Sequence, residues 1–200
     1  MLLDASVARS IAVLGWVDHL ANALGGSLHI AHGVLAGLTE PSELQGIRDA
    51  LQREANTSRP GSGRYSRALA AVHELDRLLA LPPTITLQYP NADEARMTAR
   101  LVSREADQRA WRGSLGLRAR WLDTGEAVSI AIAHGRGLDF ASDDEQALIA
   151  YTALTGRPPV RTLDVIRLLV TQQMIDEASG RAGYRLLRED DLHLLGGPDW

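Results

Sequence analysis

Three acids stand where a chain of alternating strands and helices would gather its chemistry. Asp4 closes the apolar run Met1–Leu3. Asp144 follows the run Leu138–Ser142, and Glu126 opens an apolar stretch behind the turn Asp123-Thr124-Gly125. In an open parallel sheet, ligands bind beyond the carboxyl ends of the strands, so these segments can meet on one edge. Carboxylates brought together repel one another and need a cation. Mg²⁺ and Mn²⁺ suit oxygen ligands and keep several waters, which leaves coordination positions for a phosphate. A cation held this way activates water and neutralises charge on the phosphate under attack, and no histidine is required. The same acids also fit a structural role. Asp4 can cap a helix, and both Asp123-x-x-Glu126 and Ser142-x-x-Glu145 have the spacing of a capping box. Spacing alone leaves the two roles open, although their recurrence at three strand–helix junctions favours a site.

Basic residues add a second signal. All 21 are arginine, and Arg96, Arg100 and Arg104 recur every four residues, followed by Arg109, Arg112, Arg118 and Arg120. A face that contacts phosphates beside the acidic residues is one reading. A solvated helix face paired with Glu94, Glu105 and Asp107 is the other. Trp111 and Trp121 flank this window and could stack on bases, although core packing or a contact between copies explains them more simply. The six histidines show no metal-ligand spacing. The chain has no phosphate-binding glycine loop, no nucleophile elbow and no dinucleotide fingerprint.

The net charge of −4 argues against binding nucleic acid over the whole surface but allows a local basic patch. A hydrophobic fraction of 45% supports a packed core and argues against disorder. No run of apolar residues is long enough to span a bilayer. The start Met1-Leu2-Leu3-Asp4 does not resemble a signal peptide, and the absence of cysteine excludes disulfides and thiolate metal sites. The expected compartment is the cytoplasm.

Strands are expected at 1–3, 27–31, 84–89 and 138–142, with a short last one at Val160-Arg161. Helical patterns cover the stretches between them, including one continuous pattern through Val7, Ile11, Leu14, Val17 and Leu20 and one over Ala92–Trp111. This alternation predicts an α/β fold with a largely parallel sheet.

Several stretches resemble the PIN-domain family. Asp4-Ala5-Ser6-Val7 looks like the family's opening, and Ile30–Leu38 resembles its second strand and following helix. Leu122–Ala133 (LDTGEAVSIAIA) is similar to its Gly-Glu-Ala helix start. Phe140–Ala147 (FASDDEQA) resembles its strand and acidic turn, and Arg161–Leu169 looks like a Thr-Leu helix of one branch. These stretches come in the family's order and cover about half the chain. The resemblance implies one domain over 1–200 with a three-layer α/β/α fold, and RNA cleavage that depends on Mg²⁺ or Mn²⁺. Asp4, Glu126 and Asp144 would be catalytic and would hold the metal, with Asp143 as a further ligand. Ser6 and Ser142 would orient carboxylates or water, and Arg96, Arg100 and Arg104 would contact RNA. Many such proteins are toxins of toxin–antitoxin pairs, so the expected partners are RNA, an antitoxin protein and a second copy of the chain.

The sequence departs from the family at Gly37, which stands before Leu38 where the family usually has an acid. Glu40, about one helical turn on, or Glu43 would have to replace it. Without such a replacement the chain would be a PIN-like module that binds RNA or a protein without cutting. The stretch 42–82 is longer than the motif order requires and reads as an inserted helical pair.

Overall fold

The computed structural model describes residues 1–35, 42–80, 84–117 and 122–189. Gly37, Glu40, Arg118, Arg120, Trp121 and the last stretch, 190–200, lie outside them. The chain is α/β and mostly helical. In chain order β1 (Leu2–Leu3) precedes α1 (Ala5–Val13) and α2 (Val17–Ala23), and β2 (Leu28–Ala31) runs straight into α3 (His32–Leu35). Next come α4 (Glu43–Thr57), α5 (Gly63–Leu79) and β3 (Ile85–Gln88). They are followed by α6 (Ala92–Val102), α7 (Ala106–Ser114) and α8 (Thr124–Arg136). The chain continues through β4 (Phe140–Ala141), α9 (Glu145–Thr155), α10 (Thr162–Thr171) and α11 (Glu177–Glu189).

The four strands form one parallel sheet in the order β3-β2-β1-β4. Leu3 pairs with Ile30 on one side and Ala141 on the other, and Val160 adds a parallel bridge outside Ala141. Leu2, Leu28, Ile30 and Phe140 are fully or almost fully buried. A parallel strand covered on both faces is a short, continuous apolar run; each strand falls inside an expected one, β3 inside a stretch expected from its β-rich composition. Helix α8 lies against β1, β2 and β4 with Ala127 through Ala133 buried. Helices α4 and α5 pack on each other and on α1, and α4 also meets α3.

Two helices read as continuous in the sequence are broken. The first stops at Val13 and restarts at Val17, with Gly15 at φ +70° between them. That left-handed conformation is open to glycine at little cost. Val17 and Leu20 stay buried beyond the break, so the apolar period runs through it unchanged. The second break falls between Val102 and Ala106, where Ser103 Oγ accepts a hydrogen bond from the Glu105 amide at 3.2 Å. Arg104 therefore sits in a turn, not on a helical face with Arg96 and Arg100.

Helices α10 and α11 form a small cluster of Leu163, Ile166, Tyr184 and Leu187, closed by Trp16. Gly183 allows the approach, because a Cβ there would lie 2.5 Å from Trp16 Cη2 and 3.1 Å from Leu14 Cδ2. Helix propensity alone favours alanine over glycine by about 1 kcal/mol. Overpacking of this kind costs roughly 1–3 kcal/mol. Gly183→Ala is expected to lower the urea midpoint, and by less in a Trp16→Phe background. A stabilised Gly183→Ala protein would show that the cluster is looser than described.

A candidate carboxylate site

Asp4 follows β1 directly and is 2% exposed. Its amide donates to Ala141 O at 2.9 Å, so the pairing of β1 with β4 sets Asp4 beside Ser142. Although Asp4 occupies the N-cap position of α1, its side chain makes no cap hydrogen bond. Instead Oδ2 accepts from Ser142 Oγ at 2.8 Å and from Ser6 Oγ at 3.1 Å. Oδ1 is buried with no hydrogen-bond partner. Burial pushes the Asp4 carboxyl up to about 6, opposed by the Ser142 hydroxyl, the Ala5 amide and the Ser6 hydroxyl and aided by the charge of Asp123.

The two serines also position the loop after β4. Ser142 Oγ accepts from the Asp144 amide at 3.1 Å, and Ser6 Oγ accepts from the Asp143 amide at 3.0 Å. Asp144 caps α9, its Oδ1 accepting from the amides of Gln146 at 2.8 Å and Ala147 at 3.0 Å. Asp143, next in sequence, does something different. Its Oδ1 accepts from the Thr162 amide at 3.0 Å and its Oδ2 from the Thr162 hydroxyl at 2.5 Å. Both oxygens thus accept hydrogen bonds from the start of α10.

Glu126 forms a capping box with Asp123. Asp123 Oδ1 accepts from the Glu126 amide at 2.7 Å, and Glu126 Oε2 accepts from the Asp123 amide at 3.0 Å. Glu43, the first residue of α4, reaches the same place. A Cβ on Gly125 would lie 3.0 Å from Glu43 Oε2 and 3.3 Å from Asp123 Oδ1, so any side chain there would crowd Glu43 and Asp123. Glu43 Oε2 is buried and has no hydrogen-bond partner. Burial raises both carboxyls to about 8. For Glu43 the charges of Asp4, Asp123, Glu126 and Asp144 add to it; for Glu126 those of Asp123, Asp144 and Asp4 do.

The structure thus brings Asp4, Glu126 and Asp144 within electrostatic reach of one another and adds Asp123 and Glu43. Asp123 reads in the sequence only as a turn and cap residue. Glu43 appears there only as an alternative to Glu40, because its place depends on how α4 packs. Among the described residues no cationic side chain forms an ion pair with any of these five acids. Among the same residues, no three Asp, Glu or His side chains are arranged to hold one metal ion directly. Mg²⁺ does not need that arrangement, since it usually binds through one or two carboxylates and keeps its remaining waters. Two buried oxygens without donors, Asp4 Oδ1 and Glu43 Oε2, fit a cation of this kind.

Of the arginines expected to touch RNA, Arg96 and Arg100 share α6 and Arg104 follows it. Arg96 pairs with Asp93, and the Arg100 guanidinium lies 4.1 Å from the ring centre of Trp111. Trp111 itself packs partly buried against the core. Comparison of the chain with protein-family models, with curated proteins and with solved structures gives no match in any of the three.

Asp4, Glu43 and Glu126 hold protons in the folded chain that the unfolded chain releases near 3.8 for Asp and 4.5 for Glu. A raised carboxyl contributes stability fully below the ordinary carboxylate range and loses it as pH climbs through the folded value. In chelator, the melting temperature is therefore expected to fall between about pH 5 and pH 8, and Glu126→Gln should flatten that slope. A wild-type protein whose stability rises over this range would contradict the burial of uncompensated acids.

The two neighbouring aspartates should respond oppositely to substitution. Asp144→Asn keeps a capping oxygen and removes a charge, so its melt in chelator should match or exceed wild type. Asp143→Ala leaves the buried Thr162 groups without an acceptor and should cost roughly 1–3 kcal/mol in urea unfolding.

Proposed function

We propose that this chain is a PIN-like, metal-dependent endoribonuclease, with Asp4, Glu43, Glu126 and Asp144 as its metal-holding acids. The observation that carries this reading is the buried Oδ1 of Asp4, which has no hydrogen-bond partner, at the carboxyl end of a central parallel strand, with Asp123, Glu43 and Glu126 near enough to interact with its charge. The order of the sequence motifs supports it. So does the position of Glu43, which stands in for the acid missing at Gly37. On this reading the fold is the three-layer PIN arrangement, and α4 with α5 is the inserted helical pair. The role of toxin in a toxin–antitoxin pair, with an antitoxin as protein partner, belongs to the same proposal.

Bound there, Mg²⁺ or Mn²⁺ would supply positive charge to the scissile phosphate and acidify an attacking water. The chain's own groups do the rest. Ser142 and Ser6 donate to Asp4 Oδ2 and so turn Oδ1 outward from that pair. Asp123 fixes Glu126 through the capping box, and Gly125 leaves room for Glu43. Arg96 and Arg100 on α6 and Arg104 in the following turn are the arginines proposed to contact RNA phosphates.

Calorimetric titration with Mn²⁺, paired with a cleavage assay on single-stranded RNA, tests the proposal. Wild type should bind the ion and cleave. Asp4→Asn and Glu43→Gln should each bind more weakly, and Glu126→Gln should abolish cleavage. Ser142→Ala, which loosens Asp4 and frees the Asp144 amide, should cost roughly 10- to 100-fold in affinity or rate. Absence of divalent-cation binding by wild type would sink the nuclease reading. A second reading, a PIN-like module that binds RNA or a protein without cutting, draws on the lack of three acids set around one point among the described residues. RNA binding that persists without cleavage at saturating Mn²⁺ would select it.

A further inference from the structure

The carboxyl ends of β3, β2 and β1 place Tyr89, His32 and Asp4 along one edge of the sheet. Gln88 pairs with Ala31 and Leu3 with Ile30, so Tyr89 and His32 emerge side by side, while Asp4 on the next strand stands one residue short of them, level with Ala31. Neighbouring strands lie about 4.8 Å apart, which sets Tyr89 about 10 Å along the edge from Asp4. Tyr89 is 59% exposed, and it is the one exposed large hydrophobic residue among those described.

This ring is held from behind and open in front. The His32 ring lies against it with centroids 4.6 Å apart and planes 35° from parallel. The backbone on either side is fixed as well. Pro90 follows and restricts Tyr89 to extended conformations. Arg136 Nη2 donates to the Tyr89 carbonyl at 2.5 Å, and Arg136 is itself anchored by Glu94 at 2.8 Å and 2.9 Å. Asn91 then caps α6 together with Glu94. A rigid aromatic ring with one face supported and the other in solvent is what a stacking partner requires. Its ordering cost has been met before any ligand arrives.

From this geometry we infer that Tyr89, backed by His32, is a stacking platform for an unpaired base of single-stranded RNA. The inference rests on the proposal that the acids hold a phosphodiester, since it is the distance along the edge from Asp4 that makes a base the fitting ligand. Every base offers a flat face, so the platform tolerates any sequence but excludes paired strands, whose bases are already stacked. It also supplies what the acidic cluster lacks, an attraction for RNA that does not depend on charge.

The test is fluorescence anisotropy with a labelled, phosphorothioate-linked oligoadenylate in Mn²⁺, alongside the same strand with abasic sites and a duplex. Tyr89→Ala should weaken binding of the oligoadenylate roughly tenfold or more, the size of one base–aromatic stack. Tyr89→Phe and Tyr89→Trp should bind like wild type. His32→Ala should bind more weakly than wild type, and the abasic strand should not distinguish Tyr89→Ala from wild type. Unchanged melts would show that these variants fold. The platform is refuted if Tyr89→Ala binds as wild type does, or if Tyr89→Leu keeps full affinity. It is also refuted if Tyr89→Ala changes only the mass in solution, which would make this face a contact between copies. If wild type binds no oligoadenylate in Mn²⁺, the phosphodiester reading and the platform fail together. If wild type binds and cleaves RNA while Tyr89→Ala matches it, the platform alone fails.

Discussion

The hydrogen bond from Ser142 Oγ to Asp4 Oδ2, 2.8 Å long and buried, joins β1 and β4 at their carboxyl ends. Much of the site follows from it. It fixes the Asp4 carboxylate, and the same hydroxyl takes the Asp144 amide and so sets the start of α9. Ser6 repeats the arrangement from α1, donating to Asp4 and accepting from Asp143. Asp143 then carries the link to Thr162 and the start of α10. A buried carboxylate thus organises three helix starts, which accounts for burying a charge so close to a hydrophobic core. Low dielectric strengthens each of these bonds and equally raises the cost of the oxygen left without one.

Capping and site chemistry are often treated as rival explanations of an acid, but here they coincide. Asp4, Glu43, Asp123 with Glu126, and Asp144 each stand at the amino terminus of a different helix: α1, α4, α8 and α9. The unsatisfied amides of a first turn carry partial positive charge, so a carboxylate there is favoured by fractions of a kcal/mol to about 1 kcal/mol. Helix starts pointing the same way can thus gather acids that have no cationic side chain beside them among the described residues. The raised protonation points of Asp4, Glu43 and Glu126 show that this compensation is incomplete.

What the sequence revealed follows the range of the interactions involved. Strands β1, β2 and β4 were legible as short apolar runs, and β3, in which only Ile85 is buried, by its β-rich composition. Asp4, Glu126 and Asp144 were legible because each sits at the end of such a run or at a turn. The break at Gly15 was hidden because Val17 and Leu20 remain on the buried side beyond it, so periodicity carries no trace of the turn. The break at Ser103 was hidden because the surrounding segment is too polar to have a clear phase. Adjacent acids could not be separated either. Whether Asp143 or Asp144 faces the cluster depends on Thr162, nineteen positions from Asp143 and brought near only by the fold. Glu43 depends on contacts between α4 and α3 that no local pattern records.

Glu43 lies on α4, and α4 belongs to a pair of helices that packs on α1 and meets α3. Any cation bound between Asp4 and Glu43 would therefore join the start of α4 to the carboxyl end of β1. Thermodynamic linkage makes the effect mutual: occupancy favours the docked helix pair, and whatever grips that pair in its docked position raises affinity for the ion by the same factor. A protein that bound the outer face of α4 and α5 could then govern the centre without touching an acid. The helix pair would act as the lever between partner and ion.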